Sequence, residues 1–151
     1  MKIILASVSP RKAKMKSAAC EALVANFAER CKRLNPTDVA VFPSEADLLI
    51  AANKAPGRVS SHLILLDSTG DSVTSAEFAR LIGKIRDEGV QSAMFAIGPA
   101  DGWSPSAKSS AAECISLGKI TLPHELARVV LAEQIYRALT ILAGHPYHLG
   151  H

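Results

Sequence analysis

Three of the five histidines in this 151-residue chain fall in its closing stretch, HPYHLGH, as His145, His148 and His151. Imidazole exchanges a proton near neutral pH and also binds metals. A metal could be gathered by histidines recurring every three residues. Pro146 and Gly150 interrupt the helix that would align them, however, and no cysteine or carboxylate lies nearby in sequence to complete a tetrahedral set. No metal is therefore expected. A chain end can also simply fray. The third arrangement is an active-site segment, in which Pro146 stiffens a turn, Tyr147 presents a flat ring and His148 gives or takes a proton.

Two other places carry chemistry. SPRKAKMK puts Arg11, Lys12, Lys14 and Lys16 within six residues, close to an expected helix start. A helix dipole opposes cations there, so the cluster is either a phosphate-binding patch or a solvated basic face. The segments LLDSTG (65–70), AIGPADG (96–102) and ISLGKITLP (115–123) each follow an apolar run and are rich in glycine or small polar residues. Their glycines let the main chain approach a ligand closely, or only shape turns. None is a GxGxxG, so the dinucleotide fingerprint is absent.

The elements that must position these segments follow from apolar periodicity. Lys2 to Val8, Asp38 to Pro43, HLILLDS, QSAMFAIG and CISL read as strands. Helices are expected over Pro10–Leu34, with Met15, Ala19, Leu23 and Phe27 in phase, and over SEADLLIAANKA, capped by Ser44 and ended by Pro56-Gly57. A third runs over Thr74–Glu88, capped by Thr74 or Ser75 and ended by Gly89, a fourth over SPSAKSSAAE, and the longest over Leu122–Ala143. Strands alternating with helices predict an α/β fold, a mostly parallel sheet flanked by helices, with ligands at the carboxyl ends of its strands. The last helix is apolar on almost every side, broken by Arg128, Glu133, Gln134, Arg137 and Thr140. It is either a central core helix or one that also meets a partner subunit. Glu133 and Arg137 form an i,i+4 pair of the kind that solubilises a helix.

Length predicts one domain over residues 1–151. A net charge of +3 says little about partners. Cys20, Cys31 and Cys114 form no CxxC pair, which fits reduced thiols in the cytoplasm. The opening apolar run is too short for a signal-peptide core, and no stretch reaches the ~20 apolar residues of a membrane span.

Taken in order and spacing, LLDSTG, FAIGPADGWSPSAK, SLGKITLPHELARVVLAEQIYRAL and HPYH resemble the RlmH family of SPOUT-class methyltransferases, over Leu65 to His148. The resemblance implies a carboxy-terminal trefoil knot, a homodimer, and transfer of a methyl group from S-adenosylmethionine to N3 of a pseudouridine in 23S ribosomal RNA within the ribosome. By the same matching, Leu66, Gly98, Pro99, Gly102 and the run Gly118, Lys119, Ile120, Thr121, Leu122 and Pro123 surround the cofactor. His148, Tyr147 and, as a second candidate base, His124 serve catalysis, since N3 carries a proton that must leave. Arg11, Lys12, Arg137, His145 and Tyr147 are the RNA-binding candidates, Tyr147 by stacking on an unpaired base and Arg137 by holding phosphate or structuring the tail. Two positions depart from the family pattern. Pro99 stands at the second glycine of IGGPEG and lacks an N–H, and Leu149 stands where an arginine usually follows HPYH. Another SPOUT methyltransferase with a tRNA or other rRNA target, or a non-catalytic RNA-binding protein on this scaffold, are the alternatives.

Overall fold

The computed structural model of the chain describes residues 1–10, 17–53 and 60–149. Their elements alternate as β1 (Lys2–Val8), α1 (Ala18–Lys32), β2 (Thr37–Phe42), α2 (Glu45–Ala52), β3 (His62–Ser72) and α3 (Ser75–Asp87). They continue as β4 (Ser92–Ile97), α4 (Pro105–Ser110), β5 (Glu113–Ser116), α5 (His124–Leu142) and a short 3-10 turn (Pro146–His148). The five strands form one sheet in the order β2-β1-β4-β3-β5, with every neighbouring pair parallel.

Alternation along each strand divides the core into two layers. Ile64 and Leu66 of β3, with Ile3, Leu5, Phe95 and Ile115, face α1, α3 and α5. Leu63 and Leu65, with Ala6, Met94 and Ala96, face α2 and α4, where Leu48, Trp103 and Ala107 cover them. Both faces are thus buried, which is why HLILLDS has no polar alternation. On the larger face α5 lies between α1 and α3.

Side-chain caps fix most helix starts. Ser44 accepts from the Asp47 N–H at 3.1 Å, and Thr74 forms a reciprocal capping box with Glu77. Residues 11–16 of the stretch expected to be helical lie outside the described residues; Ser17 caps α1, which starts at Ala18. Its buried face is Cys20, Val24, Ala28 and Cys31, one residue out of phase with the expected stripe, and Leu23 is 46% exposed. Asn53 follows the last residue of α2, and the expected terminator Pro56-Gly57 lies outside the described residues.

The expected polar breaks of α5 are not all on its surface. Thr140 is fully buried and donates to the Arg137 carbonyl at 2.6 Å. Arg128 is buried with its guanidinium on Glu21 of α1 and Glu125 of its own first turn, at 3.1 Å from the latter. Ion pairing compensates for its removal from water and ties α5 to α1.

β3 runs on to Ser72, four residues beyond HLILLDS, because its register against β5 slips between Leu66 and Asp71. Within the slip, a Cβ on Gly70 would come within 2.7 Å of the Cys114 carbonyl carbon and 2.8 Å of that of Ile115. Main-chain atoms cannot swing aside as a side-chain tip can. Gly70→Ala is therefore expected to lower the unfolding free energy by ~1–3 kcal/mol, measured by urea denaturation. A parent-like midpoint would contradict this close crossing.

Candidate functional site

At the carboxyl ends of β4 and β5, beside the register slip of β3, a cleft of about 240 Å³ opens between Leu66, Asp67 and Ser68 of β3, Ile97 ending β4, the segment Ser116–Leu122 leaving β5, and Ala127 on α5. Leu66, Ile97, Leu117, Ile120 and Leu122 make its walls apolar. The Ser116 hydroxyl shapes the exit from β5, donating to the Gly118 carbonyl at 2.9 Å and accepting the Gly118 N–H at 3.2 Å. Gly118 has φ 126°, a conformation that favours glycine, and nothing stands within 4 Å of where its Cβ would be.

Past Gly118 the chain is neither helix nor strand. Among the described residues, the N–H and C=O groups of Lys119, Ile120, Thr121 and Leu122 make no main-chain or side-chain hydrogen bond. Four consecutive peptide units are thus left to water or to a ligand. An apolar slot edged by open main-chain donors and acceptors suits a flat, hydrogen-bonding group such as adenine. These residues fit an adenosyl cofactor.

Asp67 is the acidic wall of the cleft, with its side chain only 8% exposed. It accepts from the Thr69 N–H at 2.8 Å and pairs with Lys108 of α4 at 3.0 Å. Burial opposes its charge, yet Thr69 and Lys108 together hold its pKa below the usual carboxylate range. Sequence reasoning did not single out Asp67. An acid two residues before Thr69 is a turn-forming signal that could have found it.

Gly98, Pro99 and Gly102 do not line this cleft. Trp103 occupies the space a side chain on residue 98 would need. Gly102 has φ 87° and closes a turn by donating its N–H to the Pro99 carbonyl at 2.9 Å. His124 opens α5, its Nδ1 lying 3.5 Å from Glu125 and its buried Nε2 lacking a partner among the described residues.

The tail folds back onto α5 and α1. Tyr147 donates its hydroxyl to Glu133 at 3.1 Å, and its ring meets Tyr136 edge-on at 4.8 Å. The guanidinium groups of Arg137 and Arg30 lie 5.0 and 5.2 Å from its centre, where the ring face attracts them. Arg137 pairs with Glu133 at 2.8 Å and reaches His148 Nδ1 at 3.4 Å, while His145 accepts the Tyr147 N–H at 3.2 Å. The Glu133–Arg137 pair is therefore more than a solubilising surface pair. It organises the tail. Arg11, Lys12, Lys14, Lys16 and His151 lie outside the described residues. Among the described residues, no three metal-ligating side chains converge, and no helix is long and apolar enough to cross a membrane.

A larger hollow of about 530 Å³ lies along the flank of the sheet, between β2, α1 and α2. Its charged groups are taken up in pairs, Lys32 with Glu29 and Asp38 with Lys2, and β2, which borders it, is an edge strand with one side of its main chain open as well. The smaller cleft differs in lying at the carboxyl side of the parallel strands, where such sheets place their ligands.

The fold and cleft define an α/β domain with an open cleft on the carboxyl side of a parallel sheet. The sequence model of a family described as "Predicted SPOUT methyltransferase" matches residues 1–148. Ribosomal RNA large subunit methyltransferase H of Koribacter versatilis is 48% identical over 138 residues, which cover 91% of this chain and 94% of that protein. The protein of the same name from Rhodopseudomonas palustris (strain BisB5) is 50% identical over 111 residues, 74% of this chain and 68% of the relative. The chain belongs to the SPOUT methyltransferases and, among them, to the RlmH family.

The contacts of the tail make it sensitive to alkali. Burial, followed by the Glu133 carboxylate, raises the Tyr147 pKa against the opposing Arg137 and Arg30. A phenol whose pKa is higher in the folded than in the unfolded chain contributes stability that is complete below pH ~10 and lost as pH rises through the folded value. Spectrophotometric titration of the protein and of Tyr147→Phe should show Tyr147 ionising later than free tyrosine. Earlier ionisation would contradict the contact with Glu133.

Proposed function

We propose that this chain methylates N3 of a pseudouridine in 23S ribosomal RNA, using S-adenosylmethionine, as a cytoplasmic homodimer acting on the ribosome. Its membership of the RlmH family supports this reaction, and its relatives carry the name ribosomal RNA large subunit methyltransferase H. The observation that carries the reading is the run of unengaged peptide groups from Lys119 to Leu122 at an apolar cleft. We further assign the crossing segments of a trefoil knot to the three loops around that cleft, a rare exception to unknotted connection.

When bound, S-adenosylmethionine supplies an electrophilic sulfonium methyl, so the protein must mainly hold and orient. Leu66, Ile97, Leu117 and Leu122 exclude water from the bound donor, while Lys119 to Leu122 offer it main-chain hydrogen bonds. Asp67 remains ionised and braces the slipped stretch of β3. Tyr147 stacks on the target base, and His148 accepts the N3 proton, with His124 as the alternative acceptor. Arg137 and His145 hold the tail and the RNA backbone near it, and Arg11 and Lys12 add phosphate contacts.

Placement of the tail supports the dimer. Tyr147 is anchored at Glu133 and Arg137, whereas the cleft meets α5 at Ala127, in the first turns of that helix. Glu133 and Arg137 follow Ala127 by six and ten residues, so about two to three helical turns, roughly 9–15 Å, separate a protomer's own tail anchor from its own cleft. The cleft is also smaller than the enclosed pockets that ordinarily surround a ligand of cofactor size. A partner copy supplies both the missing wall and the tail. Light scattering should accordingly give twice the chain mass.

Deleting residues 145–151 is expected to leave calorimetric binding of S-adenosylmethionine within a few-fold of the parent and to abolish methyl transfer to ribosomes containing the unmethylated pseudouridine. Leu149→Arg should retain or raise activity. A truncated chain that methylates at the parental rate would remove the tail from the reaction. Absence of donor binding by the full chain would favour RNA binding without turnover.

A further inference from the structure

The loop leaving β4 is fastened on two sides. On the sheet side, the Trp103 indole N–H donates to the Leu66 carbonyl at 2.9 Å, in a buried contact spanning 37 positions of sequence. On the helix side, Glu45 of α2 accepts the Ser104 N–H at 2.9 Å and the Ser104 hydroxyl at 2.6 Å, one on each carboxylate oxygen. Trp103 is 7% exposed. A Cβ on residue 98 would lie 2.8 Å from its Cε2 and 2.9 Å from its Nε1, so the absent side chain of Gly98 makes room for the indole.

The position of this contact matters more than its number of bonds. The last register pair between β3 and β4 is Leu66 with Ile97, and beyond it β3 slips against β5. Leu66 and Ile97 are also walls of the strand-end cleft. Trp103 therefore satisfies a main-chain acceptor at the point where the ladder gives out, and it packs on the residue that follows Ile97. An indole N–H has one donor and no acceptor role, so this bond has a fixed direction. Without it the Leu66 carbonyl loses a buried donor, and the two walls lose their common tie.

We propose that Trp103 is a positioning residue of the methyl-donor cleft, setting the separation of the β3 and β4 ends through Leu66 and Gly98, with Glu45 holding the loop from the opposite side. This rests on the donor-binding reading of the cleft. Trp103 touches no reacting atom, so its loss should change how tightly the donor is held and not how fast a bound donor reacts.

The test uses the full chain, with calorimetric titration by S-adenosylmethionine and methyl-transfer kinetics on ribosomes. Trp103→Phe keeps a ring and removes the donor. It should weaken binding and raise KM for S-adenosylmethionine by about tenfold, the scale of one lost buried hydrogen bond, with kcat and the KM for ribosomes unchanged. Trp103 is the chain's one tryptophan, so its emission in the parent should shift as S-adenosylmethionine saturates the protein. Should Trp103→Phe fail to fold, Glu45→Gln carries the comparison, with a loss of about threefold expected from one weakened acceptor. Parent-like affinity in a folded Trp103→Phe, a fall in kcat alone, or unchanged emission at saturation would overturn the role of Trp103 and leave the methyltransferase reading standing. Failure of the parent itself to bind the donor would overturn both.

Discussion

The β3–β4 ladder ends at Leu66 and Ile97, and the rest of the site depends on how the main chain is satisfied just beyond that point. Inside the sheet, ladder partners take up the peptide groups. Past it, Ser116 closes a turn around Gly118, Asp67 accepts from Thr69 within the slipped stretch of β3, and Trp103 donates to the Leu66 carbonyl. Among the described residues, Lys119 to Leu122 are left without such partners. A buried orphan peptide costs stability, but one at the rim of a cleft can exchange water for a ligand at little cost. Supported and open main chain thus meet on the carboxyl side of the sheet, where the donor site is proposed.

α5 links that edge to the tail. Its first turns contribute Ala127 to the cleft, its middle is packed between α1 and α3, and Glu133 and Arg137 hold Tyr147. The buried Arg128 locks the helix to α1 through Glu21, and removing the guanidinium would leave the Glu125 carboxylate beside Glu21 without the cation between them. The rigid helix therefore fixes the distance between cleft and tail within one protomer. That spacing is what the tail of a second copy would bridge in the homodimer proposed above.

Much of the architecture was legible because strand runs and caps are local signals. The unbroken HLILLDS announced a strand covered on both faces, and Ser44 and Thr74 marked helix starts that their hydroxyls do cap. The face of α1 was not legible in the same way. AACEALVANFAERC has small apolar residues on several sides, so Leu23 and Val24 compete for the core, and only packing decides for Val24. Arg128 and Thr140 looked like surface breaks because their partners come from distant or main-chain positions. The three strand-end loops were found from their glycines, yet Gly98 is small for Trp103, a contact between loop and strand that no spacing rule contains. Of the residues that resemblance to a family named around the donor, Leu66 and Gly118 to Leu122 line the cleft, while Gly98, Pro99 and Gly102 do not.

The central claim is that the open peptide groups after β5 hold the methyl donor. The most direct measurement is the change in backbone amide resonances as S-adenosylmethionine is titrated into the isotopically labelled full chain. The amides of Lys119, Ile120, Thr121 and Leu122 are predicted to move together to saturation, while Ala40 and Phe42, beside the larger hollow at β2, stay in place. Shifts confined to the β2 hollow, or none after β5, would contradict the account.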